Sequence, residues 1–492
     1  MRIKPIVSGI AVLALASAVG VIAVSLPAPA EMAAKSTEYV PTDQTFSLAC
    51  LGGAIRTVAE GVNVTNEAES ITGHGVVFVD GAHWFDILTQ TDRDSTTVVP
   101  TAVSELGVTD ATGVVYATNA QVQDGHITGA STVQVGGGDM RGLATNPCQW
   151  TRQTQWLVGS QSGVGTYNVL SLLNPGDNPI TVYLRAFGPN GPVEVRQRQQ
   201  ISVAARTKIT VNLDGLLDDT SQLALELSSD SGAFGASMQT NVLSGFTPQG
   251  LSFIGHAALG REVFIPGFEV SEPQGSAVKS DVQSSAEGGE SPENSSDPGQ
   301  TTATLRLVNP HENDTTVHVD LIGDKEYPLP GADNLVIPAQ SVLDLTLDGI
   351  DPGAYTVRVR ADEPVTAAIN MSLTYGALTD TTWIGAQTPI QAGGAALNGS
   401  STLMMNVPSS TAVTVTGYDI HGKEQYRKVE TVTHTAALTL PDDLEFVWIS
   451  ATNPVAAAVY STADLNTGRG INVIGLTAQG ADAQAMRVSV NP

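Results

Sequence analysis

The side chains that could carry chemistry follow no recognised metal-binding pattern. The eight histidines show neither HxH nor HExxH spacing, so zinc is not indicated; they occupy positions 74, 83, 126, 256, 311, 318, 421 and 434. The two cysteines, Cys50 and Cys148, form no CxxC pair and neither lies beside a histidine. The sequence therefore predicts no metal site and no cofactor.

Motifs for nucleophilic or phosphate chemistry are incomplete. The stretch "GSQSG" (residues 159–163) has Gln161 where a nucleophile elbow needs serine. "SAVK" (276–279) has SxxK spacing, but it lies in a stretch that we expect to be disordered, where a nucleophile cannot be held in place. "GGGDMRG" (136–142) lacks the helix and lysine of a phosphate loop and predicts a turn. We predict no catalytic residue.

Carboxylates and tryptophans leave one candidate site. The 49 acidic residues single out no pair for glycoside hydrolysis, because such pairs are defined by distance in space. The acidic turns at 213–219 and 347–353 lack calcium-loop spacing, so solvated turns are favoured over calcium sites. "HWFD" follows an Asp-Gly turn, and we identify His83, Trp84 and Asp86 as a candidate exposed binding site; a core position for Trp84 is the alternative.

The composition favours strands and an acidic, exported protein. Hydrophobic residues make up 41% of the 492 residues and charged residues only 15%, with Thr, Ser, Val, Gly and Ala in their place. The formal net charge of −26 repels nucleic acid and favours solubility. We therefore expect no nucleic-acid partner.

The amino terminus predicts export. Arg2 and Lys4 precede an uncharged run over residues 5–26, which is typical of an export signal. Ala28-Pro29-Ala30 fits a cleavage site, whereas the length of the run also fits a membrane span. We expect residues 1–30 to be a signal peptide or a membrane anchor. The rest of the chain is then extracytoplasmic, either tethered to the membrane or secreted after cleavage behind Ala30.

An oxidising compartment favours a disulfide between Cys50 and Cys148, with two unpaired buried thiols as the alternative.

Three markers recur in the same order along the chain. "VLSLLNPGDNP" (169–179) returns as "TLRLVNPHEND" (304–314) and, loosened, as "TLMMNVP" (402–408). "TKITVNLDGL" (207–216) matches "SVLDLTLDGI" (341–350), and "GLSFIG", "DTTWIG" and "GINVIG" end at Gly255, Gly385 and Gly475. Alternating apolar residues between the markers predict strands with one buried face, and the Asn-Pro pair predicts a turn that ends a strand.

These repeats predict an all-β protein of tandem immunoglobulin-like β-sandwich modules after an N-terminal signal or anchor helix. We predict a divergent first β domain at 45–156, modules at 157–265, 301–388 and 389–478, and a tail at 479–492. Residues 271–300 are acidic and poor in apolar side chains, which favours a disordered loop or linker. "FIPGF" (264–268) could instead begin the following module, which would make this stretch an inserted loop.

The segment "DMRGLATNPCQWTRQTQWLVGSQSGVGTYNVLSLLNPGDNP", between an export segment and "PQGLSFIG", resembles an uncharacterised family of actinobacterial cell-envelope proteins known only as a domain of unknown function. The resemblance covers most of the chain. It rests on these positions: Cys50, Arg141 to Leu143, Cys148, Trp156 with Gly159, Asn174-Pro175 and Gly255. It implies an exported, anchored β protein and no activity.

The first functional hypothesis is a non-catalytic cell-envelope protein, a scaffold or binding module for a cell-wall polymer or an envelope protein, tethered to the membrane through its N-terminal segment. A carbohydrate-active or wall-modifying enzyme is the second hypothesis, since two carboxylates can converge in space. An adhesin is the third.

Overall fold

The computed structural model describes residues 36–39, 45–55, 71–80, 82–94, 111–196, 199–270, 300–376, 378–480 and 486–489. These residues are almost entirely β-strand, with one short helix. The predicted signal or anchor at 1–30 and nearly all of the predicted loop at 271–300 lie outside them. Within the described part of the chain, no helix is long and apolar enough to cross a membrane.

The chain divides into two compact units. In the smaller unit, strand β1 (Ser36–Tyr39) pairs antiparallel with β35 (Met486–Ser489). The larger unit spans Asp43–Ala481 and contains four groups of strands, each with its own buried core, which we call modules one to four.

Module one joins a five-stranded sheet, in the order β5-β4-β6-β2-β9, to a three-stranded sheet, β3-β7-β8. Its elements are β2 (Thr45–Leu51), β3 (Ile71–Val79), β4 (His83–Asp86), β5 (Thr91–Asp94), β6 (Thr112–Thr118), helix α1 (Asn119–Asp124), β7 (Ile127–Val135), β8 (Gly142–Pro147) and β9 (Gln149–Trp150). The predicted disulfide is confirmed: Cys50 in β2 is bonded to Cys148, between β8 and β9, inside the core of this module.

Module two has sheets in the orders β10-β16-β12-β13, with β14 also on β12, and β15-β11-β17-β18. Its strands are β10 (Thr154–Val158), β11 (Thr166–Asn174), β12 (Ile180–Gly188), β13 (Gly191–Val193), β14 (Gln200–Val203), β15 (Thr207–Asn212), β16 (Ala224–Ser228), β17 (Gly235–Ser244) and β18 (Thr247–Ile254). Apolar side chains of both sheets meet in one core.

Modules three and four each contain one long strand that contributes to both halves of the module. Module three consists of β19 (Leu259–Val270), β20 (Gln300–Asn309), β21 (Thr315–Ile322), β22 (Glu326–Pro328), β23 (Leu335–Ile337), β24 (Ser341–Thr346), β25 (Gly353–Tyr375) and β26 (Leu378–Gly385). The first part of β25 pairs with β21, and the second part pairs with β20 and β26.

Module four repeats this plan with β32 as its long strand. Its strands are β27 (Ile390–Ala396), β28 (Ser400–Asn406), β29 (Thr411–Tyr418), β30 (Glu424–Val432), β31 (Thr435–Thr439), β32 (Phe446–Leu465), β33 (Gly468–Gly475) and β34 (Thr477–Ala478).

Two strands lie across the boundaries expected from the sequence. β10 pairs with β16, so residues 154–156 belong with module two. β19 pairs with β25 along its length, so "FIPGF" belongs to module three, the second of the two placements that the sequence left open. The apolar side chains of β19 face the core of module three, and this burial decides the pairing.

From Val317 to Leu321 of β21, the expected alternation of apolar and polar residues holds with one exception. In β21, Val317, Val319 and Leu321 are fully buried, as the pattern predicts. Asp320, expected on the wet face, is also buried, because Arg358 and Arg360 both donate hydrogen bonds to its Oδ2, at 2.9 and 2.8 Å.

The side-chain amide of the asparagine in the repeated Asn-Pro pair stabilises the turn that follows its strand. The Nδ2 of Asn309 donates to the carbonyl oxygens of Asn313, Ile337 and Pro338 at 2.8, 3.1 and 3.1 Å, and its Oδ1 accepts the N–H of His311. Asn174 repeats this arrangement, with Nδ2 donating to the carbonyls of Asn178, Val203 and Ala204. Both side chains are buried, so the asparagine joins two loops of its module.

We expect Asn309→Asp to destabilise the protein by about 2–4 kcal/mol at pH 7, because three carbonyls lose their donor and face a buried carboxylate. Urea unfolding measures the effect. Asn313→Asp, an exposed change in the same turn, is the control. Equal midpoints for the two variants would contradict the role of the Asn309 amide.

Candidate functional site

The four modules meet along four strands that each lie at the edge of their own sheet. These inner strands are β8, β18, β26 and β33, one from each module. β8 contacts β18, β18 contacts β26, β26 contacts β33, and β33 contacts β8 again. The inner strands therefore form a closed ring, and the last module returns to the first.

Side chains, rather than a backbone ladder, connect neighbouring inner strands. Each link runs from a backbone N–H to a side-chain oxygen of the preceding module: Trp383 N to Ser252 Oγ at 3.2 Å, Val473 N to Thr382 Oγ1 at 3.1 Å, and Thr145 N to Asn472 Oδ1 at 3.1 Å. These oxygens satisfy N–H groups that an edge strand would otherwise present to solvent. The links recur at equivalent positions in three of the four junctions. The fourth junction, between β8 and β18, has Ala144 at the acceptor position, so no link of this kind forms there.

The repeated glycine of the "IG" marker lies where one module contacts the next. A Cβ atom on Gly255 would lie 2.6 Å from the side chain of Gln149, and one on Gly385 would lie 2.9 Å from Ala257. A Cβ atom on Gly475 would lie 2.0 Å from the side chain of Gln387. Each contacting residue comes two positions after the last residue of an inner-strand segment in the preceding module. Gln149, Ala257 and Gln387 follow Pro147, Gly255 and Gly385 in this way. The marker therefore recurs because modules pack closely there.

At the other end of the inner strands, the side chain of Asp380 occupies the centre of the ring. The equivalent residues of the other strands are Gly142, Gly250 and Gly470. Cβ atoms on these glycines would lie 2.7, 2.8 and 3.1 Å from the carboxylate oxygens of Asp380. The centre therefore has room for one side chain, which module three supplies.

Asp380 contacts all three other modules and is fully buried. Its Oδ2 accepts hydrogen bonds from Leu143 N at 3.0 Å and from Ile471 N at 2.9 Å. Its Oδ1 has no hydrogen-bond partner among the described residues. Burial raises the pKa of Asp380 to about 7, although the backbone N–H groups of Leu143, Ile471 and Thr381 and the charge of Arg141 act to lower it.

Arg141 closes the ring beside Asp380. Its guanidinium donates to Thr467 Oγ1 at 2.9 Å and to the carbonyl oxygens of Thr379, Thr467 and Arg469 at 3.2–3.3 Å. The side chain is 1% exposed, and burial lowers its pKa while Asp380 raises it. Arg141 thus joins module one to modules three and four.

A second buried arginine joins modules two and three. Arg306 forms a two-point ion pair with Asp344, with both N–O distances at 2.8 Å, and its guanidinium lies 4.8 Å from the Trp383 ring centroid. It also donates to the backbone carbonyls of Ser160 and Leu223 in module two. His256, between β18 and β19, accepts the N–H of Trp156 and is neutral at physiological pH, because burial lowers its pKa to about 3.

The site expected at His83, Trp84 and Asp86 is not an exposed aromatic surface. Trp84 is 1% exposed and belongs to the core of module one, so the alternative reading of that residue is the one observed. Asp86 Oδ1 accepts the N–H groups of Leu88 and Thr89 and stabilises the turn after β4. His83 lies in β4. β4 is buried on both faces, with Trp84 in the core of module one and Phe85 in a second cluster.

The other tryptophans and the acidic turn at 213–219 have structural contacts in the protein. No tryptophan is exposed: four are buried, and Trp383 is half-buried beneath Arg306. In the acidic turn at 213–219, Asp214 accepts the N–H of Asn168, and burial raises its pKa. Across the described ranges, no three His, Cys, Asp or Glu side chains are grouped as metal ligands.

Sequence reasoning did not identify Asp380, although a signal was present. The three markers read "GLSFIG", "DTTWIG" and "GINVIG", and aspartate replaces glycine at the first position of the second one. The equivalent strand of module one, "GLATNP", carries no "IG" and so was not aligned with the others.

Two apolar side chains are fully exposed at neighbouring loops of module two. Val164 precedes β11, and Phe246 lies in the turn between β17 and β18. The loops adjoin each other, since Leu243 N donates to Gly165 O at 2.7 Å. The inner strands all begin at one end of the ring, which we call the hairpin face. Val164 and Phe246 lie at this face.

The described ends of the larger unit lie at the opposite end of the ring. Residues 45–47 are there, since Ser47 O accepts the N–H of Thr151, beyond the end of β8. Ala478, beyond the end of β33, accepts a hydrogen bond from Trp150 Nε1 at 2.8 Å.

Comparison with known proteins identifies a family without an assigned activity. The sequence matches a family of unknown function (DUF5719) over residues 103–443, and the chain belongs to that family. No curated protein matches it. A crystal structure titled Thermotoga maritima 1070 is 12% identical, with 26% of this chain and 93% of that chain covered and a TM-score of 0.19. A likeness at that level carries no argument about fold or function.

We expect Gly142→Ala to destabilise the protein by about 1–3 kcal/mol, because its Cβ atom would overlap Asp380 Oδ1 and Leu251 N. Gly137→Ala, in the same hairpin with nothing within 4 Å of a Cβ atom, is the control. Thermal and urea unfolding of both variants measure the difference. A Gly142→Ala variant as stable as the control would show that the centre can accept a second side chain.

Proposed function

We propose that this member of the DUF5719 family is a non-catalytic, extracytoplasmic cell-envelope protein that acts as a scaffold or binding module for a wall component or an envelope protein. Its four modules are immunoglobulin-like β-sandwiches in this proposal. Residues 1–30 direct export, and they tether the protein to the membrane unless cleavage after Ala30 releases it.

The closed ring of inner strands is the observation that carries this proposal. Asp380, Arg141 and Arg306 are buried where modules meet, and their hydrogen bonds connect strands of different modules. Because these three side chains are hydrogen-bonded to other modules, they hold the modules in one relative orientation. A rigid body of this kind suits the presentation of a fixed surface to a partner.

The disulfide supports an extracytoplasmic location. Cys50 and Cys148 are bonded, and disulfides persist chiefly in oxidising compartments. The described chain of the larger unit begins at the end of the ring opposite the hairpin face.

The hairpin face of module two has the character of a recognition surface. Val164 and Phe246 are fully exposed, and residues 153–176 and 231–255 around them contain no Asp, Glu, Lys or Arg. Exposed Asp219 lies beside Gly163 at the edge of this tip. On a chain with a net charge of −26, the scarcity of other carboxylates there lowers the repulsion and desolvation cost that they impose on an uncharged partner. We place the partner contact there.

We expect the full extracytoplasmic chain to co-sediment with purified cell walls of its source organism, and the Val164→Ser, Phe246→Ser double variant to bind at least about tenfold more weakly. Val429→Ser, which changes an exposed apolar residue of module four, is the control and should bind normally.

Equal binding by the double variant and the wild-type protein would contradict the proposed face. Release of soluble glycan fragments during the incubation would contradict the non-catalytic role and favour the wall-modifying enzyme. Binding to whole neighbouring cells, without binding to isolated walls, would favour the adhesin.

A further inference from the structure

The first position of the inner strands holds three glycines and one ionisable residue. Gly142, Gly250 and Gly470 leave space that the carboxyl group of Asp380 fills. A fourth glycine would leave a cavity there, and an asparagine of the same size would fill it without a charge. The residue present is one whose charge changes with pH.

We propose that Asp380 is a pH-sensitive lock on the ring: the neutral carboxyl group lets the four inner strands stay clamped together, and its ionisation loosens their junction. On ionisation the carboxyl proton passes to solvent, and one negative charge remains between strands of four modules. This proposal is independent of the partner that the protein binds.

The contacts of the carboxyl group support two different roles for its oxygens. Oδ2 accepts two backbone N–H groups, from Leu143 and Ile471, which it can do in either charge state. Oδ1 is buried and has no partner among the described residues. The N–H of Thr381 and the charge of Arg141 also favour the ionised form, but burial outweighs them. A negative charge shared by both oxygens is therefore only partly compensated.

The charged and titratable groups around Asp380 leave it without a direct ion pair in the described part of the chain. From the turn before β8, Arg141 approaches closely but donates its hydrogen bonds to Thr467 Oγ1 and to carbonyl oxygens. Arg469 of β33 is directed to Asp464, at 3.6 Å. Tyr375 ends β25 and lies near Gly468, and β18 contains no titratable side chain.

The direction of the pH effect follows from the shift in Asp380. Its pKa in the folded protein, about 7, lies above the ordinary value of 3.8 for an exposed aspartate. The group's contribution to stability is therefore fully present below about pH 4 and is lost as the pH rises towards 7. Asp380 thus favours a firmly closed ring in acid and a weaker one at neutral and alkaline pH.

The test compares urea unfolding of the wild-type chain and Asp380→Asn between pH 5 and pH 7. Asparagine keeps an oxygen for the N–H groups of Leu143 and Ile471 and removes the titration. We expect the ratio of the unfolding constants, wild type over Asp380→Asn, to rise about 50-fold across this range. The matched control, Asp348→Asn in an exposed turn, should show a flat ratio. A flat ratio for Asp380→Asn would overturn the proposal.

Two measurements on the wild-type protein keep the proposal testable if Asp380→Asn does not fold. Carbon-13 NMR of the aspartate carboxyl groups should show Asp380 titrating near neutrality, and a midpoint below about pH 5 would overturn the lock. Hydrogen exchange at the amides of Leu143 and Ile471 should accelerate from pH 5.5 to 7.5 more than at Leu172, in the core of module two. Equal acceleration at all three amides would also overturn it.

Discussion

The space at the centre of the four inner strands admits one side chain, and this constraint sets how closely the modules approach. Glycine at three equivalent positions lets the backbones of β8, β18 and β33 come within contact distance of the Asp380 carboxyl group. Once the strands are this close, their edge N–H groups can reach Ser252, Thr382 and Asn472 on the neighbouring strands. Close packing and hydrogen bonding therefore depend on each other along the ring.

Closure of the ring also depends on the contact between modules four and one, which we call the seam. Consecutive modules are joined by the chain itself, whereas modules four and one are not. Their contact therefore depends on non-covalent interactions alone. There, His126 stacks on Trp448 at 4.5 Å between ring centroids, and its Nδ1 lies 2.9 Å from the Tyr418 hydroxyl. Burial lowers the pKa of His126 and therefore favours its neutral form at this seam.

The disulfide lies close to this seam. Cys148 O accepts a hydrogen bond from Thr477 Oγ1 of module four at 3.0 Å, and Cys50 holds the same segment against β2. The cross-link therefore stabilises module one where module four docks. In the proposed scaffold role, such a rigid closure would hold the exposed Val164 and Phe246 of the hairpin face in a fixed orientation.

The sequence by itself determined the strand content, the repeat, the disulfide and the turn role of Asn174 and Asn309, because these depend on local patterns and on residue chemistry. Alternation along β21 predicted three buried residues correctly and missed Asp320, whose partners Arg358 and Arg360 lie on another strand. The side-chain direction of Trp84 was left open, because "HWFD" is too short for its alternation to fix which face is buried.

Only the tertiary structure decided the closed ring and the place of Asp380 in it. The substitution of aspartate for glycine in "DTTWIG" is visible in the sequence, but its meaning depends on glycines 90 to 240 residues away along the chain. Those residues become neighbours only when four edge strands converge. The repeated markers lie on these edge strands, but nothing in them shows which edges meet, since that depends on the relative orientation of whole modules.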